Sequence, residues 1–95
     1  MKYSNFIKSV SNNNPPKGIS KLLLSMWHAL RDEWDIAHEI VQDIKSKDAA
    51  WIHAYLHRVE GDLSNANYWY SRASKDTSNL SLNIEAKEIV MDLIT

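Results

Sequence analysis

The sequence predicts an all-α protein, an antiparallel array of about six helices folded as one domain over residues 1–95. Three observations predict it. Apolar residues recur at the i, i+3, i+4, i+7 spacing of a helix face, and no segment shows the period-two alternation of a strand. Only two Gly and two Pro interrupt the 95 residues, and the Pro are adjacent. Each break between periodic segments also carries helix-capping or turn chemistry.

The first helix is short and carries Tyr3, Phe6, Ile7 and Val10 on one face. Ser11 to Gly18 (SNNNPPKG) is a loop, because Asn, Pro and Gly each favour turn conformations. Ser20 is a good N-cap for a second helix reaching about Arg31, with Ile19 and Leu24 placed to form a hydrophobic staple. After a tight break at Asp32–Glu33, Asp32 is expected to cap a third helix, about Glu33 to Lys45, with the face Ala37, Ile40, Val41, Ile44. Asp48 is expected to cap the fourth helix, which ends at Gly61, a natural left-handed stop. This helix is apolar or aromatic on nearly every side, so it is expected at the centre. Asp62 caps the fifth helix, to about Ser74. A polar turn over 75–80 precedes a sixth helix bearing Leu82, Ala86, Ile89, Val90 and Leu93.

A shift of 29 positions superimposes helices two and three on helices four and five: His28 falls on His57, Ala37 on Ala66, Val41 on Tyr70. Such self-similarity signals stacked helical hairpins. The stretch Asp48 to Ala73, DAAWIHAYLHRVEGDLSNANYWYSRA, resembles a tetratricopeptide repeat in its small residue (Ala54), its Gly61-Asp62 turn and its small, aromatic, small series (Ala66, Tyr70, Ala73). The first copy is degenerate, with Asp32-Glu33 in place of Gly-Asp. Two tetratricopeptide-like hairpins flanked by capping helices are the expected architecture. The pattern WHAxxxxWDxAHE (Trp27 to Glu39) followed by DAAWxHAYLHRxEGDxxNAxYWYxRA also resembles a family of small bacterial proteins of about this length. That resemblance implies a bacterial origin and the same fold, and carries no mechanism.

Composition narrows the functional classes. The net charge is −1 with His neutral, so there is no basic excess to neutralise phosphates, and nucleic acid is not an expected partner. The absence of Cys removes disulfides, thiol nucleophiles and Cys-ligated zinc, and fits a cytoplasmic setting. The N-terminal residues MKYSNFIKSV lack a signal-peptide core, and no run approaches the roughly 18 apolar residues of a membrane span. There is no Gly-rich phosphate loop and no nucleophile elbow. Asp32, Glu33, Asp35, Glu60 and Asp62 cluster at helix ends, where capping and the helix dipole account for them. An enzyme is therefore not the expected reading, and no cofactor is expected.

Two constellations remain. Trp51, Tyr55 and Arg58 share one face of the fourth helix, and Leu22 and Met26 are the repeat counterparts of Trp51 and Tyr55. In tetratricopeptide proteins these positions line the concave groove, so these five residues are the expected binding surface for a protein or peptide, or for a second copy of the chain. An apolar strip of this kind is seldom left bare, and the first helix is expected to fold back over it. The second constellation is His53 and His57 at i, i+4, with His38 and Asp35 on the third helix. That spacing permits joint metal ligation, although no HExxH is present. The expected role is structural, with both rings turned toward the partner helix of their own hairpin. A metal or small-molecule site built on His38, His53 and His57, in a binding protein or an enzyme, is the alternative to the interaction module. Asn65, Tyr68, Trp69 and Arg72 give the fifth helix a polar-aromatic face suited to the sixth helix or a second subunit.

Overall fold

The computed structural model describes all 95 residues, Met1–Thr95. Six helices follow in order: α1 (Tyr3–Val10), α2 (Lys21–Leu30), α3 (Trp34–Val41), α4 (Lys47–Val59), α5 (Leu63–Arg72) and α6 (Leu82–Ile94). There are no strands, and no helix is long and apolar enough to cross a membrane.

The caps explain most boundaries. Ser20, Ser46, Asp62 and Ser81 each accept a backbone N–H with their side chains, from Leu23, Ala49, Asn65 and Ile84 respectively. Two expected caps are corrected. Ser46, not Asp48, caps α4, and Asp48 lies in its first turn, where its charge suits the helix dipole. Asp32 does not cap α3. It takes a left-handed conformation with φ of 63°, and Glu33 stands at the N-cap without a side-chain bond. The reason lies in the preceding helix. α2 ends with the Glu33 N–H bonded to the His28 carbonyl, and α4 ends in the same way with the Asp62 N–H on the His57 carbonyl. This six-to-one closure requires a left-handed residue just before the donor. Gly61 supplies it at φ 84° after α4, and Asp32 supplies it after α2. α3 is also shorter than expected, because the chain turns at Gln42 rather than continuing to Lys45.

α2 packs chiefly on α3 and α4 chiefly on α5, with α3 set against α4. Ala54 and Ala66 are both fully buried, in keeping with close approach of α4 and α5. α4 is the central element: nine consecutive residues, Ala49 to His57, are buried. α6 lies across α2 and α4, while α1 packs on α2 and α6. The helix that covers the α2/α4 strip is therefore α6, and the expectation that α1 would do so is corrected. α1 seals the edge of α2 and α6 instead. Its Phe6 is fully buried, and the Trp27 indole N–H donates to Ser9 at 3.2 Å. Arg31 fixes the end of α1 by donating to the carbonyls of Val10 (2.7 Å) and Asn12 (2.6 Å).

Candidate metal centre

The three histidines meet where α3, α4 and α5 converge. The i, i+4 spacing of His53 and His57 puts both on one side of α4, and their rings stack with centroids 4.9 Å apart. α3 brings His38 to the same place. It is held against α4 by Trp34, whose indole N–H donates to the Leu56 carbonyl at 2.6 Å. Trp34 is one turn before His38 and stacks flat on its ring at 4.7 Å. From the other side Trp69 of α5 stacks on His53 at 3.8 Å with the planes 10° apart. Two indoles thus fix the orientation of two imidazoles. A ring nitrogen of each of His38, His53 and His57 lies within 4.8 Å of the other two.

The hydrogen bonds define the protonation pattern. His57 Nδ1 is 2.6 Å from Glu60 Oε2. A carboxylate only accepts, so Nδ1 carries the proton, and Nε2 is the nitrogen of His57 left with a free lone pair when the ring is neutral. His38 Nε2 and His53 Nε2 are 2.9 Å apart, so one donates to the other. Burial, followed by the neighbouring His38 and His57, lowers the His53 pKa to about 4. Burial, followed by His57, also lowers that of His38, against an opposing pull from Glu60 and Asp35. At neutral pH His38 and His53 are therefore uncharged rings; one Nε2 lone pair accepts the bond between them, and the donating ring keeps its lone pair at Nδ1. The hydrogen-bond partners of His53 and His57 are another imidazole and Glu60.

A second buried polar centre was not foreseen. Glu85 of α6 is 1% exposed and accepts three bonds: from Arg58 Nη1 (2.6 Å), Trp51 Nε1 (3.1 Å) and the Tyr70 hydroxyl (2.5 Å). Arg58 also donates to the Leu80 carbonyl, which fixes the segment leading into α6. Burial, then Glu85, pushes up the pKa of both Tyr55 and Tyr70. Its sequence signal was an acid beside Ala86 and one turn before Ile89, inside the apolar face of α6.

Two of the five residues expected to bind a partner, Trp51 and Arg58, bond to this carboxylate. Met26, Trp51 and Tyr55 are buried within the chain, Leu22 is half-buried, and Arg58 is engaged by Glu85. α6 packs on both α2 and α4, and its Glu85 ties down Trp51 and Arg58. Within the chain the α5 face does not turn to α6: Trp69 stacks on His53 of α4, and α6 is reached from α5 by the Tyr70 hydroxyl. Arg72 instead donates to Tyr68 on the outer surface. Comparison with known protein families, curated proteins and solved structures finds no match to this chain.

Proposed function

We propose that this protein binds a single transition-metal ion through His38, His53 and His57, as a small metal-binding module. The observation that carries the proposal is the convergence of three imidazole nitrogens from two helices, with Glu60 holding Nδ1 of one of them. A carboxylate on the non-ligating nitrogen orients a metal-bound imidazole and raises its basicity. Metal–imidazole bonds of about 2.0–2.1 Å in tetrahedral geometry set ligand nitrogens about 3.3 Å apart. His38 and His53, at 2.9 Å, need to open by only a few tenths of an ångström to admit an ion between their Nε2 atoms, with the ring that donates in the free protein moving its proton from Nε2 to Nδ1. All-imidazole donors suit Zn²⁺, Ni²⁺, Co²⁺ and Cu²⁺ rather than Mg²⁺ or Ca²⁺. Three protein ligands leave a fourth position for water or a small ligand on the side of half-exposed His38. Because His38 belongs to α3 and the other two to α4, a bound ion would tie the two helical hairpins of the tetratricopeptide-like array together.

The geometry favours this reading over a peptide-binding groove, because the strip that would receive the peptide is filled by α6. Titration calorimetry with Zn²⁺, Ni²⁺ and Co²⁺ tests it. One ion per chain is expected, with tight binding lost in His38→Gln and kept in His28→Gln, which alters the histidine outside the cluster. Co²⁺ should give the visible absorption of a tetrahedral site. Absence of stoichiometric binding by the wild type, or binding indifferent to His38→Gln, would remove the proposal.

A further inference from the structure

A separate cavity of about 450 Å³ lies on the other side of Trp69, bounded by the α3–α4 connection and α5. Its apolar wall is Ile44, Ala50 and Trp69, and its rim carries Lys45, Lys47 and Arg72 against one acid, Asp43. This local excess of positive charge stands out in a chain of net charge −1. It also distinguishes the cavity from two others. The one beside Trp51 sets Lys75 among Asp76, Glu85, Glu88 and Asp92, and the one beside Ile36 sets Lys21 against Glu39 and Asp43.

The three cations are not consumed by the protein. No carboxylate in the structure pairs with Lys45, Lys47 or Arg72. Arg72 is nevertheless positioned: Nη1 donates to the Tyr68 hydroxyl at 2.8 Å, and the guanidinium carbon lies 5.6 Å from the Trp69 ring centroid. A guanidinium fixed by one of its donors keeps the others for an oxyanion, and Arg with Lys is the usual pairing around phosphate. Apolar lining with a few convergent charged groups, in a cavity of this size, is the character of a small-molecule site.

We infer that this cavity binds a small phosphate monoester, its phosphate held by Lys45, Lys47 and Arg72 and its apolar part against Ile44, Ala50 and Trp69. The positive end of α4 adds to the same field, since Lys47 is the first residue of that helix. The site shares no ligand group with the histidine cluster. The two meet only at Trp69, whose ring also stacks on His53.

Phenyl phosphate is the probe, followed by heteronuclear NMR at low ionic strength, with inorganic phosphate in parallel. Saturable shifts are expected at the Trp69 indole N–H and the backbone amides of residues 44–50. Affinity should fall about tenfold or more in Arg72→Gln and further in Lys45→Ala/Lys47→Ala, as expected for lost charge-assisted bonds. It should be unchanged in Lys8→Ala. Inorganic phosphate should shift the same amides and bind more weakly. Shifts that do not saturate, or that survive all three substitutions together, would overturn the site. Equal affinity for the two probes would overturn its apolar half. Because His38→Gln leaves every residue of this cavity intact, phenyl phosphate binding by that variant separates failure here from failure of the metal proposal.

Discussion

The molecule buries ionisable side chains in two places, and they are satisfied in opposite ways. Around Glu85 every hydrogen bond runs inward: a buried carboxylate meets three donors from α4 and α5. Around His38, His53 and His57 the rings bond to one another and to Glu60, leaving lone pairs on a face that is half-open at His38. Both centres consist of residues that are costly to bury alone. The saturated one clamps a helix in place. The unsaturated one has the character of a site. Fulfilment of hydrogen-bonding capacity, more than burial or charge, separates the structural centre from the candidate functional one.

The sharpest way to break the comparison is to remove the charge partner of Glu85. Arg58→Ala should cost about 3–5 kcal/mol in urea denaturation, because it strands a buried carboxylate. A change below about 1 kcal/mol would mean that α6 is not held by this pair. Replacing both partners by apolar residues, Arg58→Met with Glu85→Leu, should destabilise far less than Arg58→Ala alone, since no unpaired charge is left. If the double variant is the weaker protein, the clamp contributes more than mutual neutralisation.

Close packing between α4 and α5 supports both centres, and Ala66, fully buried, is the place to test it. Ala66→Leu should overpack the pair and cost about 1–3 kcal/mol, read from the urea midpoint. An unchanged midpoint would show that the two helices do not depend on a small residue there.

The subtlest prediction concerns protons at the open centre. His53 has a folded pKa near 4 against an unfolded value near 6.5, so between these the unfolded chain binds more protons. Stability should therefore be level above about pH 6.5 and decline as pH falls from there toward 4. NMR titration of the His53 ring should give a midpoint well below 6.5. A midpoint at or above that value would show that the ring is not desolvated as its packing implies.

Much of this architecture was legible because it is local. Ser20 and Asp62 bond amides three residues ahead, Gly61 meets the left-handed demand of its turn, and the dense apolar content of α4 forecast its central position. The misplaced boundaries share one cause. Asp48 and Asp32 both have cap chemistry, but Ser46 lies two residues earlier, and the closure of α2 draws Asp32 into the left-handed turn. Half of the histidine centre was also local, since one turn separates His53 from His57. Trp34 and Trp69, which orient the rings, were visible as residues and not as stacking partners.

The sequence by itself determined six helices, their order, most of their ends and the small residues between α4 and α5, because caps, turns and periodicity act over a few residues. Tertiary structure decided which helix lies in the α2/α4 strip. α1 has eight residues and α6 thirteen, and the choice turns on fit: Glu85 finds Arg58, Trp51 and Tyr70 at once, and no residue of α1 offers a carboxylate to that centre. It also decided that His38 meets His53. The two stand fifteen positions apart in the chain, across a turn, and only the packing of α3 on α4, fixed by the Trp34 bond to the Leu56 carbonyl, closes that distance to 2.9 Å.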